Sequence, residues 1–334
     1  MDRVRAVKIS GTGMAVPPRT VTNHDLVSVL NTSDEWIQQR TGIKERRHVD
    51  GGTGPSELAY EACLKALEAA DLGPELIDLV IVATLSPEHY FPGTASFLHT
   101  KLNLGTTPAM DIRCQCSGFL YAMNVGKAFI ASGQYDRILV VGVEVHSSGL
   151  DMTPRGRDVS ALFGDGAAAV VLEPSPDPER GIVAISLHTE GQYAEKLWIE
   201  APSPRYQPAF SNHMIESGQA YPQMDGPFVF RHAVVRMPQV LREVLKSCHL
   251  GIADIDMFLF HQANLRINEM VAKTLDIPQE KTFNNIEKYG NCSAASLPMC
   301  LDETVRAGKI KRGSLVCMTA FGSGFSWGSA VIRW

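Results

Sequence analysis

The sequence predicts an α/β protein built from two duplicated halves, and three observations carry that expectation. The stretch "LEAADLGPELIDLVIVAT", residues 67 to 84, returns as "LKSCHLGIADIDMFLFHQ", residues 245 to 262. At a constant offset of 178, Leu67, Leu72, Gly73, Ile77 and Asp78 meet Leu245, Leu250, Gly251, Ile255 and Asp256. A second echo follows in the same order, "FGDGAAAVVLE" from Phe163 and "FGSGFSWGSAVIRW" from Phe321, at a spacing of 158, so the halves differ in insertions. Between these landmarks, helical patterns alternate with short Val/Ile/Leu-rich runs, as in sheets covered on both faces.

Composition agrees with this class. A chain of 334 residues has length for about two domains. An apolar fraction of 45% and a charged fraction of 20% describe a globular chain rather than a disordered one. A formal net charge of −5 without a long basic run argues against nucleic acid as the main partner. No apolar run approaches the roughly 18 residues of a membrane span. The start, "MDRVRAVKISGTGMAVPP", alternates apolar and polar residues before a Gly/Pro turn, which reads as a first strand and not as a signal peptide. A cytoplasmic protein is expected, its seven cysteines reduced and mostly small buried hydrophobes.

Each element has a local reason. Both copies of the repeat read as a helix closed by glycine, a short loop and an apolar run long enough for a buried strand. "TPAMDIR" reads as a further strand, and "SGFLYAMNVGKAFIASG" as a helix burying Phe119, Met123, Ala128 and Ile130. The proline-rich "EPSPDPERG", 173 to 181, is the natural junction, giving halves of 1–175 and 176–334. Residues 190–226 lack clear periodicity and read as a long insertion in the second half, a kind of segment that is usually functional or mobile.

Three places carry chemistry. In "DIRCQCSGFLYAM", Cys116 falls on the first turn of a helix, where unpaired N–H groups and the helix dipole favour an anion and would lower a thiol's pKa. Taken alone, that position also suits a small buried cysteine, and Cys114 reads as a packing residue. Cys-x-Cys lacks the ligand gap of structural zinc sites and is not the redox Cys-x-x-Cys, so neither a metal nor a dithiol centre is expected. His261 ends the apolar run that closes at residue 260, where open α/β sheets gather ligand sites, and its duplicate is Ala83. A structural histidine is the competing reading. Asn291, in "KYGNCSAASLPMCLDE", reads as an N-cap or as a polar group opposite the thiol, because 178 beyond Cys116 is residue 294, inside the same turn.

With these motifs in hand, the sequence resembles the β-ketoacyl-acyl carrier protein synthase III family of the thiolase superfamily over essentially its full length. "TSDEWIQQRTGIKERR", "CSGF", "FGDGAAAVVLE", "HQANLRI", "YGNCSAASLP" and "FGSGFSWGSAVIRW" occur in family order. The resemblance implies a five-layered αβαβα thiolase-like fold, a homodimer and a condensing enzyme without a cofactor, acyl-CoA being a substrate. It implies that Cys116 takes an acyl group from acyl-CoA and that malonyl-acyl carrier protein is then decarboxylated and condensed to 3-oxoacyl-acyl carrier protein. His261 and Asn291 would stabilise the enolate, and the backbone N–H groups of Cys116 and Ser323 would form the oxyanion hole. Thr32, Trp36, Arg40, Arg157, Phe230 and Asn264 match coenzyme A-binding positions, Arg266 a carrier-protein contact, and Phe91 a residue reaching the partner subunit's acyl pocket.

The chain departs from better-known members at Arg113, Cys114 and Gln115, where they have small residues, and at Ser323, where they have glycine. Arg113 and Gln115 have no functional account from the sequence. The departures leave open a related acyltransferase, a head-to-head, polyketide- or quinolone-type condensing enzyme, and, from another class, a non-catalytic partner subunit; the intact Cys116, His261 and Asn291 speak against the last.

Overall fold

The computed structural model describes residues 5–334, so the part of the first-strand reading on residues 1–4 lies outside it. Ten strands form two five-stranded sheets. They are β1 (Val7–Ala15), β2 (Leu79–Ala83), β3 (Ala109–Ile112), β4 (Ile138–Glu144), β5 (Gly166–Pro174), β6 (Gly181–Thr189), β7 (Met257–Phe260), β8 (Thr282–Phe283), β9 (Leu315–Gly322) and β10 (Ser326–Arg333). The first sheet has the order β1-β5-β4-β2-β3 and the second, read from its own first strand, β6-β10-β9-β7-β8. Each strand of one sheet thus has a counterpart five strands later in the other. The pairing senses match as well: antiparallel for the first two contacts, parallel for the last two.

The register agrees with the repeat read from the sequence. Leu79 on β2 faces Ile138 on β4, and Met257 on β7 faces Val316 on β9, both members having moved by 178. β2 and β4 are buried along their whole length, so "LVIVA" and "ILVVGVE" are continuous rather than alternating apolar runs.

The helices Gly118–Ala131 and Ser296–Arg306 lie between the sheets, where Phe119, Met123, Leu297 and Leu301 join Ile81, Val140, Leu259 and Met318 in one core. Pro55–Ala70 and Thr94–Lys101 cover the outer face of the first sheet through Leu58, Ala62 and Leu98. Gly226–Ser247 and Leu265–Thr274 cover the second through Met237, Leu241 and Val271. The result is the five-layered αβαβα arrangement.

One expectation needs correcting. Residues 190–226 are not peculiar to the second half: they run from β6 to the helix Gly226–Ser247, and residues 16–54 make the equivalent excursion from β1 to the helix Pro55–Ala70. Both hold short elements, including the antiparallel pairs Leu197–Trp198 with Gln223–Met224 and Thr20–Thr22 with Glu45–Arg47. Arg46 anchors the earlier excursion. It is wholly buried and donates to the carbonyl oxygens of Val21 and Ala161 and to Oδ1 of Asn23.

Candidate active site

Cys116 lies between β3 and the helix Gly118–Ala131, in a single 3-10 turn, Gln115–Ser117. Its Sγ is 3.3 Å from Ser293 Oγ of the other half. The backbone N–H groups of Cys116 and Ser323 also favour the sulfur's anion. The thiol's acidity nevertheless runs against the sequence expectation: burial pushes it up to about 11, Glu144 adds to the rise, and the hydrogen bonds offset only part of it. Desolvation outweighs the helix start because only 7% of the residue is exposed. Gly322 is required beside it, since a Cβ there would come within 2.7 Å of Cys116 Cβ. Ser323 is accommodated because its φ is not positive; Gly324 takes the positive value instead.

His261 follows β7 and its backbone N–H donates to Thr319 O at 2.9 Å, which fixes it beside β9. Neither ring nitrogen has a hydrogen-bond partner among the described residues. Burial depresses its pKa to about 3, so the imidazole is neutral at physiological pH. Asn291 donates its backbone N–H to Leu162 O and accepts from Gly164 N–H, which stitches its turn to the first half. Its Oδ1 accepts the Ser293 N–H at 2.8 Å, leaving the side-chain NH2 as a donor.

The repeat places these residues more sharply than the sequence did. The mate of Cys116 is Ala294, in the 3-10 turn Ser293–Ala295 that matches Gln115–Ser117. Gln115 and Ser293, 178 apart, both have φ of 42°, an uncommon value for residues with a side chain. Asn291 is the mate of Arg113 rather than of Cys116. Cys114 packs half-buried, with its carbonyl accepting from Ser117 Oγ.

The nucleotide-matching residues form a second group. Ser33 caps the helix Asp34–Thr41, and Trp36 projects from its first turn. The Arg157 guanidinium lies 4.7 Å from the Trp36 ring centre and that of Arg40 5.5 Å from it, a cationic face of the kind a purine nucleotide requires. Thr32 Oγ1 is buried without a partner among the described residues. Phe230 is half-buried on the helix Gly226–Ser247, and Asn264 caps Leu265–Thr274 through its Oδ1. Arg266 is already engaged: it donates to the carbonyls of Gln38 and Gln39 and pairs with Glu269.

A cavity of about 1180 Å³ reaches Cys116, Ser293 and Ser323, with Leu85, Phe97, Leu150, Leu197 and Trp198 on its apolar walls. Arg113 and Gln115 also line it. Phe91 does not; it is 81% exposed. Among the described residues no group of three or more His, Cys, Asp or Glu is placed to hold a metal ion. No helix of the described residues is long and apolar enough to cross a membrane.

Sequence reading missed Ser293, Gly322 and Glu144. Ser293 could have been found by counting 178 from Gln115, the residue before the thiol. Gly322 and Glu144 are likewise mates, since β4 and β9 correspond residue by residue. Glu144 is wholly buried, pushed by burial up to about 7, with donors on the 84–86 loop and Ala294 pulling the other way.

Residues 110–191 match the model of the 3-oxoacyl-[acyl-carrier-protein] synthase III family, and residues 245–334 that of its C-terminal part. Over 99% of both chains, the protein is 40% identical to a β-ketoacyl-[acyl-carrier-protein] synthase III of Methylococcus capsulatus. Over 98% of both chains, it is 42% identical to the protein so named in Xanthomonas campestris pv. campestris. The crystal structure of the 3-oxoacyl-[acyl-carrier-protein] synthase III of Aquifex aeolicus superposes with a TM-score of 0.90 at 41% identity, covering 98% of this chain and 100% of that one.

Proposed function

Because the chain belongs to the 3-oxoacyl-[acyl-carrier-protein] synthase III family, condensing enzymes of fatty acid initiation, we propose that it joins an acyl group from acyl-CoA to malonyl-acyl carrier protein through Cys116. The observation that carries the residue assignment is the 3.3 Å contact of Cys116 Sγ with Ser293 Oγ of the other half, at the floor of a cavity that Ser323 also lines.

Cys116 Sγ attacks the primer's thioester carbon, the C–S bond to coenzyme A breaks, and coenzyme A leaves as its thiol with the proton that Cys116 gives up. The malonyl group then loses its carboxylate as carbon dioxide, and the electron pair left behind forms an enolate. The Asn291 NH2 and the N–H of a neutral His261 donate to that enolate oxygen; neutrality suits His261 to donation without a buried charge. The carbanion attacks the Cys116 thioester, the amides of Cys116 and Ser323 hold the tetrahedral oxyanion, and collapse returns the thiolate, which is reprotonated from water. The product is 3-oxoacyl-acyl carrier protein.

The Trp36, Arg40 and Arg157 cluster is assigned to the adenine and phosphates of coenzyme A, with Thr32 at its edge and Phe230 and Asn264 along the pantetheine arm. Phe91, exposed and outside its own chain's cavity, suits contact with a partner subunit in a homodimer. Arg266 is assigned to the carrier protein on the resemblance alone, since its guanidinium is engaged within the chain. The working compartment is taken as the cytoplasm. The test is turnover with purified acyl carrier protein: carbon dioxide and a 3-oxoacyl product are expected from acyl-CoA plus malonyl-acyl carrier protein, and none from a Cys116→Ala variant.

A further inference from the structure

The offset of 178 maps the whole site onto a second place in the molecule, where the same backbone holds different side chains. Cys116 becomes Ala294, His261 becomes Ala83, and Gly322 becomes Glu144. In the active copy, Gly322 leaves the space against Cys116 open, and the Cys116 N–H is the one assigned above to the oxyanion. In the other copy the end of β4 carries a carboxylate into the equivalent space. Glu144 accepts the Ala294 N–H at 3.3 Å, the counterpart of the Cys116 N–H in the oxyanion hole. It also accepts the N–H groups of Leu85 and Ser86 at 3.2 Å, the Ser86 hydroxyl at 2.6 Å and the Thr84 hydroxyl at 3.2 Å. A carboxyl group of the chain itself therefore occupies the duplicate of the oxyanion hole.

That carboxyl group spans the two halves. Glu144, Thr84, Leu85 and Ser86 belong to the first, and Ala294 to the second. The residue before Ala294 is Ser293, which contacts the thiol and whose N–H is held by Asn291. From this geometry we infer that Glu144 is a positioning residue for the condensation: seated in the inactive duplicate of the oxyanion hole, its carboxylate holds the turn Asn291–Ala294 in place against Cys116. The inference rests on the proposed roles of Cys116 and Asn291. The charged form of Glu144 is the one that accepts all five donors, and burial brings its ionisation to about 7, inside the working range. The thiols of Cys116 and Cys292 feel its charge, which raises both. The 84–86 loop, β2 and the facing Gly166 carry no titratable group.

The test compares wild type with Glu144→Gln and Ser86→Ala, measuring Cys116 acylation by intact mass, and kcat and KM for the full reaction from pH 5.5 to 9. Wild type is expected to show an inflection near 7, and Glu144→Gln to lose it, keep KM for acyl-CoA within about threefold and lower kcat by about 10²-fold. Ser86→Ala, which removes one donor to the charged form and leaves the carboxylate, is expected to move that inflection upward and supplies the readout if Glu144→Gln does not fold. A folded Glu144→Gln with wild-type kcat and pH profile, or an inflection that Ser86→Ala leaves in place, overturns the inference. Failure of wild type itself to acylate on Cys116 overturns the proposed function instead, so the two failures are distinguishable.

Discussion

Ser293 Oγ and Cys116 Sγ meet at 3.3 Å across the interface of the two halves, although 177 residues separate them in the chain. Ser293 is the duplicate of the residue that precedes Cys116, so each half offers the same left-handed turn to the crevice, one carrying a glutamine and the other a hydroxyl.

That hydroxyl lowers the acidity threshold of a thiol that burial has raised to about 11. Ser293→Ala should slow iodoacetamide alkylation of Cys116 at pH 8 by about tenfold, the worth of one hydrogen bond to a charged group, and shift the alkylation midpoint upward. An unchanged rate and midpoint would show that the contact does not act on the thiol.

Gly322→Ala places a methyl group 2.7 Å from Cys116 Cβ, at the end of a strand with little room to yield. Acylation of Cys116 should fall by about 10²-fold or more through displacement of the thiol, with the circular dichroism spectrum retained. Wild-type acylation would mean that the backbone gives way.

His261 links stability to pH. Its folded pKa, about 3, lies below its ordinary 6.5, so the unfolded chain binds the proton more tightly. The stability that this group contributes is fully present above 6.5 and is lost as pH falls toward 3. Urea unfolding at pH 7.5 and 5 should show wild type losing more stability on acidification than His261→Gln, by an amount on the order of 1 to 2 kcal/mol. Equal losses would contradict a buried neutral imidazole.

Arg46 is wholly buried and held by Val21, Asn23 and Ala161. Arg46→Ala leaves those acceptors unpaired and should cost about 3 kcal/mol or more in urea unfolding, while raising KM for acyl-CoA because the excursion that carries Trp36 loosens. A loss below about 1 kcal/mol would show that water replaces the guanidinium freely.

The repeat made the sheets legible: five matched residues at one offset placed β2 and β7 in equivalent registers, and they set an imidazole against Ala83. The same offset, applied one residue before the thiol, leads to Ser293, but nothing in "NCSAAS" shows that its first serine adopts a left-handed turn. Glu144 was hidden for a related reason. An acid at the end of "ILVVGVE" looks like the edge of a strand, and only the fold shows that all its acceptor sites are turned inward. The thiol's acidity was misjudged because position in a helix is local, whereas desolvation is set by residues from both halves packed around the sulfur. The excursion 16–54 went unrecognised as the partner of 190–226 because the two share place in the topology and no residues.

In the proposed reaction Cys116 carries the acyl group while His261 serves the decarboxylation. Intact-mass analysis of wild type, Cys116→Ala and His261→Ala after incubation with acyl-CoAs of increasing chain length, followed by malonyl-acyl carrier protein and release of carbon dioxide, separates the two roles. One acyl adduct is expected on wild type and on His261→Ala but not on Cys116→Ala, with carbon dioxide release lost in His261→Ala by about 10²-fold or more. Absence of an adduct on wild type at every chain length, or an equal loss of acylation and decarboxylation in His261→Ala, would contradict that division of roles.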